Sequence, residues 1–456
     1  MTGTFIIIPK YLVPKVFCYL FYRVVIVLLL LIVSATPEAF ADNPLSKYMS
    51  GDYPHPTSRY TCLMDLNTGK VLYSKNPYTH RSPASLTKMV AAIVLIENGH
   101  LNDTVTAPPA VVGTPESSLH LSPGETISLR DLLYAMLLRS ANDTPVVGAY
   151  YLTGGISPFV DLMNNKAKEI GCQNTHFVTP NGLYANGHYS CAYDLALIAR
   201  YGLTHLPEFR EIVKTREYHV KRSIHTGDSL VTNTAMTFLT DYPGADGVKT
   251  GYISQAGHCF VGSATHHGWQ LIAVSLNSPQ CRSDVVQMLS YGFANFKPRM
   301  IFKAGYPAGT LTLNGRPALV VTGGDLDDVV GRKEREAPLT SYSLRAQSFA
   351  SADALPISIG EKVGTVSLYR DGIFIMKVDA LAANPVPARP SLNLPQIGWW
   401  GKSDHVVIAT VLTLVLLPLL YVGGRILELA LHARKTAENS RRRRSSITKD
   451  VRAVDS

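Results

Sequence analysis

Ser85 and Lys88 stand three residues apart in an apolar stretch of the chain. On a helix, positions i and i+3 share a face, so this spacing brings a lysine amine to a serine hydroxyl. A lysine beside an apolar helical surface loses its proton more readily, because desolvation disfavours the charged form. A neutral amine next to a hydroxyl is a base and a nucleophile, which is what acyl transfer through a serine ester requires. The same spacing also fits a solvated lysine on an amphipathic helix.

Two further strings extend the pattern. Ser140-Ala141-Asn142 brings a hydroxyl and an amide to the junction of two apolar stretches. Serine and asparagine are also ordinary capping residues, so this string reads equally as a pair of caps. Lys249-Thr250-Gly251 follows Asp246-Gly247-Val248, a turn entering a strand. A strand beside the nucleophile docks an extended peptide by main-chain hydrogen bonds. Gly251 would let that backbone approach closely; the plain alternative is a loop lysine followed by a chance glycine. Singly, the strings are weak. S-x-x-K recurs at 446–449, and S-x-N recurs at 74–76, 275–277 and 391–393. Order and local context lift the combination, and a motif stays a hypothesis until its structural setting agrees.

The elements that must position these residues are legible in outline. Ser82-Pro83 reads as an N-cap followed by proline at the first helical position. An apolar helix over 84–96 then ends near Gly99. Helices over 129–138 and 144–152 flank Ser140 and Asn142. A hairpin spans 61–72 around Asn67-Thr68-Gly69, and strands at 258–265 and 270–276 flank a His267-Gly268 turn. These strands form an antiparallel sheet, and a helix over 283–296 closes the domain. From 299 to 379 the chain changes to short β runs, among them 364–369 and 373–379 around Asp371-Gly372. Residues 381–395 are proline-rich and read as a stiff linker. The expectation is an α/β fold: an antiparallel sheet with a helical cluster over 42–297, then a small all-β domain and linker over 298–395.

The ends of the 456-residue chain set its compartment. The net charge of +9 invites a nucleic-acid reading. The excess lies at the two ends, however, and the body is nearly balanced, so nucleic acid is not an expected partner. Residues 1–41 read as a secretory signal. Lys10, Lys15 and Arg23 precede an apolar core at 24–33, and Ala39-Phe40-Ala41 offers a cleavage site before Asp42; a retained anchor is the alternative. Near the other end, a transmembrane helix is expected at 404–424. Its core, 406–422, carries no charge and meets the lower limit of about 17–25 residues for a span. Trp399 and Trp400 precede it, and Arg425, Arg434, Lys435 and Arg441 to Arg444 follow it. By the positive-inside rule, 425–456 is a basic cytoplasmic tail, and the body lies on the outer, periplasmic or extracytoplasmic, face of the cell membrane. Cys18 falls in the signal. That leaves Cys62, Cys172, Cys191, Cys259 and Cys281, an odd number, whose spacing fits no zinc pattern. Buried apolar thiols are the preferred reading, with one disulfide as the alternative.

Across 60–379 the chain resembles the low-molecular-mass penicillin-binding proteins, the serine-type D-alanyl-D-alanine carboxypeptidases. Beyond the three strings, the likeness rests on several stretches: 63–72, Pro83-Ala84-Ser85-Leu86-Thr87-Lys88-Met89, Asn174-Thr175-His176-Phe177 through Asn181-Gly182-Leu183, 246–252 with Ala256-Gly257, and Gly360-Glu361-Lys362-Val363-Gly364. The resemblance implies a transpeptidase/β-lactamase-like catalytic domain and an acyl-enzyme mechanism, with no metal or organic cofactor. It implies peptidoglycan stem peptides ending in D-Ala-D-Ala as substrates, β-lactams as covalent inhibitors, and membrane anchoring through the carboxyl end. Ser85 would attack, Lys88 would take its proton, and Ser140 with Lys249 would relay a proton to the leaving amine. Asn142 would bind the substrate amide, and Lys249 and Thr250 the terminal carboxylate. The N–H groups of Ser85 and Tyr252 would hold the oxyanion, with Arg282 as a further carboxylate contact. The chain departs from the family in carrying Ser-Ala-Asn where Ser-Gly-Asn is common, in Tyr252 where some members carry histidine, and in its long tail.

Rival readings share parts of this pattern. A class A β-lactamase adds an E-x-x-L-N string that is absent between Asn142 and Lys249. A D,D-transpeptidase or endopeptidase differs only in the acceptor or the peptide. A β-lactam-binding sensor would use the tail for signalling. His176, His188 and His258 invite a Ser-His-Asp triad, but no G-x-S-x-G elbow surrounds a serine; they read as loop or core histidines.

Overall fold

The computed structural model describes residues 52–387, apart from 116, 225, 228, 314, 335 and 350–355. The expected signal at 1–41, the membrane helix at 404–424 and the tail at 425–456 lie outside the described residues. Among the described residues, no helix is long and apolar enough to cross a membrane.

The hairpin of β1 (Tyr60–Asp65) and β2 (Val71–Lys75) comes first. A helical block follows: α1 (Lys88–Asn98), α2 (Leu129–Tyr134), α3 (Thr144–Thr153), α4 (Ile156–Ile170), α5 (Ala192–His205), α6 (Pro207–Lys214) and α7 (Met236–Asp241). Two small ribbons are set into it, β3 (Thr104–Thr106) with β4 (Thr126–Ser128), and β5 (Glu217–His219) with β6 (Leu230–Thr232). Next come β7 (Ala245–Ile253), β8 (Gly257–His266), β9 (Trp269–Leu276) and α8 (Cys281–Asn295). The main sheet is antiparallel in the order β2-β1-β9-β8-β7, which leaves β7 at one edge.

Both faces of this sheet are covered, so its strands are apolar on both sides rather than alternating with polar residues. Cys62 and Met64, Val261, Ile272 and Val274 face the helical cluster. Leu63, Phe260, Leu271 and Ala273, one residue out of phase, pack with Val285, Met288, Leu289 and Phe293 of α8. This is the period-two alternation of a strand. Lys88 to Leu95 of α1 are all buried, and a helix apolar all round belongs in a core. The five described cysteines are free thiols, and Cys62, Cys172, Cys191 and Cys259 are buried.

Two local details differ from the sequence expectation. The helix around the nucleophile does not start with a serine cap. It opens as a 3-10 turn, Ala84–Thr87, with no side-chain cap, and Ala84 takes φ 48°. Moreover, α2 does not run on to 138 as an α-helix; Ala135–Arg139 is a π-helical stretch that ends in Ser140 at φ 65° and ψ 31°. Such π segments are rare and frequent at functional sites.

From Phe296 onward the described chain is almost entirely β. β10 (Phe296–Phe302) pairs with β13 (Leu326–Gly331). β11 (Pro307–Leu313), β12 (Arg316–Thr322), β14 (Tyr342–Ser348), β15 (Lys362–Arg370) and β16 (Ile373–Ala382) form an antiparallel sheet in the order β11-β12-β16-β15-β14. The turn joining β15 to β16 is Asp371-Gly372, both at positive φ, 50° and 79°. That is the geometry a two-residue hairpin needs. The sheet has its own apolar core, including Leu313, Val320, Val366, Leu368 and Ala380.

Candidate active site

In a 3-10 turn, side chains three residues apart eclipse. Ser85 lies in such a turn, and Lys88 follows it as the first residue of α1. The lysine therefore lies over the serine, with Lys88 Nζ 2.8 Å from Ser85 Oγ. Ser85 is half-buried and reachable, whereas Lys88 is fully buried. Lys88 Nζ also donates to Asn142 Oδ1 at 2.6 Å and to the main-chain oxygen of Asn181 at 2.9 Å. Those two oxygens can only accept. A neutral amine that donates to both keeps its lone pair for the Ser85 hydroxyl; an ammonium fills all three directions as a donor. The arrangement suits a proton passing between Ser85 and Lys88.

The turn carrying Ser85 is held from two sides by glycines. Gly182 sits at φ 84°, and a Cβ there would fall 1.9 Å from the Ala84 carbonyl oxygen. Gly251, on edge strand β7, comes as close: a Cβ at 251 would lie 3.2 Å from both the Pro83 oxygen and the Ser85 nitrogen. An edge strand has unpaired main-chain groups on its outer side, so the outer side of β7 and the Ser85 turn form the two walls of a cleft.

Ser140 and Asn142 cap neither neighbouring helix by a side-chain hydrogen bond. Ser140 is buried in the left-handed region, where a residue with a side chain is uncommon. Asn142 Nδ2 donates to the Pro115 oxygen at 2.9 Å, and its main-chain nitrogen to the Ser117 oxygen at 2.7 Å. Asp143 accepts from the nitrogens of Leu119 and Leu121 at 3.1 and 3.0 Å. The second motif is thus fastened to the loop at 115–121. The Asn142 amide thus supports Lys88 through its oxygen and is anchored to Pro115 by one of its two Nδ2 hydrogens.

Lys249 is buried on β7 and donates from Nζ to the Thr250 oxygen at 3.1 Å. Burial pushes its amine down from 10.5 to about 7. Thr250 Oγ1 donates to Thr234 Oγ1 at 2.7 Å. Tyr252 is exposed, with its ring tilted against His258 at 4.5 Å. Arg282 is exposed in the first turn of α8, and its guanidinium makes no hydrogen bond or ion pair with another described residue.

Direct hydrogen bonds thus join Ser85, Lys88 and Asn142, Gly251 abuts the Ser85 turn, and Lys249, Thr250 and Tyr252 share its strand. The Arg282 side chain is not bonded to any of them. Two contributors escaped the sequence reading of the site. Asn181 acts through its main-chain oxygen, and its Nδ2 donates to the Asn142 oxygen at 3.2 Å. His188 braces the turn from behind: its Nδ1 accepts from the nitrogens of Val178 and Thr179 at 3.0 and 3.3 Å. The ring proton is therefore on Nε2, 2.9 Å from Thr87 Oγ1. Burial pushes His188 down to about 4, so it is a neutral support for the turn. The run Asn181-Gly182, a turn signal inside a recognisable stretch, was the one clue to the first of these.

The chain is similar to several known proteins. A sequence profile of the D-alanyl-D-alanine carboxypeptidase family matches residues 48–280. The chain is 29% identical over 378 residues to D-alanyl-D-alanine carboxypeptidase DacF of Bacillus subtilis, covering 80% of this chain and 92% of that protein. It is 31% identical over 329 residues to D-alanyl-D-alanine carboxypeptidase DacD of Escherichia coli, covering 67% and 81%. Among solved structures, it resembles penicillin binding protein 5 from Haemophilus influenzae, with TM-score 0.58 and 27% identity over 74% of this chain and 99% of that one. A mutant of the Streptomyces K15 DD-transpeptidase aligns with TM-score 0.50 and 32% identity over 53% of this chain and all of its own.

Proposed function

The chain belongs to the D-alanyl-D-alanine carboxypeptidase family, and we propose that it removes the terminal D-alanine from peptidoglycan stem pentapeptides through a serine ester formed on Ser85. The observation that carries this reading is the 2.8 Å contact between Lys88 Nζ and Ser85 Oγ, with the other two Nζ partners able only to accept.

Ser85 Oγ attacks the carbonyl carbon of the penultimate D-alanine, and its proton passes to Lys88. The N–H groups of Ser85 and Tyr252 hold the resulting oxyanion on either side of Gly251. The C–N bond then breaks, and D-alanine leaves with the proton from Lys88, relayed through Ser140 and Lys249. Water then attacks the ester and gives a proton to Lys88, and Lys88 passes it to Ser85 Oγ as the ester C–O bond breaks. Lys249, charged beside an anion, and the Thr250 hydroxyl take the substrate carboxylate. Arg282 serves as an outer carboxylate contact, and Asn142 holds Lys88 and hydrogen-bonds the substrate amide with its second Nδ2 hydrogen. β-Lactams enter the same cleft and acylate Ser85, which makes the enzyme penicillin-sensitive.

The transpeptidase reading differs only in the acceptor, and it draws support from the Streptomyces K15 enzyme being a DD-transpeptidase on a similar fold. We further infer, from the sequence of its ends, that the protein is exported and held in the cell membrane by 404–424, with 425–456 in the cytoplasm.

The test is free D-alanine released from a stem pentapeptide, with and without an added amino acceptor. D-alanine released together with the shortened peptide acid, both lost with penicillin, supports the carboxypeptidase; D-alanine released together with the peptide joined to the amine, in place of the peptide acid, supports the transpeptidase. Neither product would overturn both.

A further inference from the structure

A depression of about 260 Å³ lies between the residues just before Ser85 and the turn at the end of β7, lined by His80, Arg81, Tyr184, Asn186, Tyr189 and Gln255 among others. No described residue lining it is acidic. Among the described residues, no carboxylate pairs with the Arg81 guanidinium. Its main chain is locked by Arg81 N to the Ser190 oxygen at 2.8 Å and Ser190 N to the Arg81 oxygen at 2.9 Å. Its guanidinium lies over the Tyr60 ring at 4.7 Å. Yet Arg81 Nε is buried without a hydrogen-bond partner, and the guanidinium makes no ion pair with a described residue. A buried donor left unpaired is rare and costly, and Arg is the residue best shaped to receive a carboxylate bidentately.

Position adds to chemistry. A peptide laid along the outer edge of β7, with its carboxylate at Lys249 and Thr250 and its reacting carbonyl at Ser85, runs upstream past Tyr252 and Ile253 toward Gln255. Each extended residue advances about 3.3 Å. In that pose the side chain of the residue just upstream of the scissile dipeptide is directed toward the side of the site where the depression lies.

Building on the carboxypeptidase reading, we propose that this depression is an acyl-donor subsite in which Arg81 binds a carboxylate on the side chain of the third stem residue. The group is a free carboxylate rather than an amine, since Arg81 is the charge on offer and no acidic side chain lines the wall. Gln255, Asn186 and the tyrosine hydroxyls supply neutral donors around it.

The experiment uses the full-length protein and two stem pentapeptides with meso-diaminopimelate at the third position, its side-chain carboxyl either free or amidated. The wild type should favour the free carboxylate by about ten-fold in kcat/KM, as expected for a charge-assisted hydrogen bond. Arg81→Met, which keeps bulk over Tyr60, should bring that ratio close to one. Arg81→Lys, a point charge without the planar fork, should leave an intermediate ratio. Acylation of each variant by benzylpenicillin reports that Ser85 is still in place. A wild-type ratio near one overturns the subsite, as does Arg81→Met lowering both peptides equally with the ratio kept, the mark of a purely structural residue. If Arg81→Met fails to fold, the wild-type and Arg81→Lys ratios carry the test. Release from neither peptide by the wild type is a different failure, because it removes the carboxypeptidase reading itself.

Discussion

Lys88 is central at the residue scale, because its amine donates to two acceptor-only oxygens and also touches the Ser85 hydroxyl. Lys88→Met should lower the rate of acylation by penicillin by about 10²–10⁴-fold, the range of a lost general base, while circular dichroism shows the fold retained. Lys249 gives a pH prediction. Its amine lies near 7 in the folded site against an ordinary 10.5. Between those values the unfolded chain binds the additional proton, so stability rises with pH across that window. Measured by urea denaturation, the midpoint of the wild type should climb relative to Lys249→Met from pH 7 to pH 10; a constant difference would contradict the buried-amine account. Ser85, Lys88 and Lys249 could be singled out from the sequence because the proposed chemistry uses their side chains. Asn181 could not, since its part is played by a main-chain oxygen that any residue carries. Asn142 was legible as a site residue, but its partner was not, because the Pro115 oxygen that takes its amide comes from a loop remote in sequence.

At the scale of elements, the 3-10 turn and the two glycines that flank it decide where Ser85 sits. Gly182→Ala would put a methyl 1.9 Å from a main-chain oxygen at φ 84°. It should destabilise the protein by about 2 kcal/mol or more in thermal or urea unfolding. Gly251→Ala is the informative contrast. Its nearest contacts are at 3.2 Å, which a shift of a few tenths of an ångström relieves, so stability should change by less than about 1 kcal/mol. The new methyl would nevertheless stand against the Ser85 N–H, and penicillin acylation should fall by about 10–100-fold. If the two variants lose stability and acylation in the same proportion, the glycines do not have these separate roles. The hairpins and long helices were readable from turn residues and periodicity, as Asp371-Gly372 and α8 illustrate. The 3-10 opening and the π-helical stretch were not. Both depend on what packs against them, Gly182 on the Ala84 carbonyl and the 115–121 loop on Asn142 and Asp143, and no local pattern encodes those contacts.

On the scale of the whole molecule, the first hairpin and the β-rich region are joined through Asp328. It accepts from Lys70 at 3.2 Å, Arg370 at 3.1 Å and Tyr342 at 2.9 Å. Burial alone would raise its carboxyl, but Lys70, Arg370 and Tyr342 together hold it below the ordinary carboxylate value. Asp328→Ala should cost about 1–3 kcal/mol, less than a fully enclosed pair because Lys70 and Arg370 reach water, and should leave penicillin acylation intact. Because the folded-state value is lowered, the stabilisation is present above the ordinary carboxylate range and is lost as pH falls below about 4. Asp328→Asn should accordingly flatten the acid limb of stability; an equal acid limb in both proteins would contradict this. The change to β-structure was readable from its short alternating runs. The Asp328 cluster was not, since it joins residues from four separate strands or turns.

The most direct test of the central claim is intact mass after incubation with benzylpenicillin, followed by peptide mapping. The account predicts one penicilloyl group on Ser85 and none on Ser85→Ala. An adduct that persists in Ser85→Ala, or a wild type that takes up no penicillin, would contradict it.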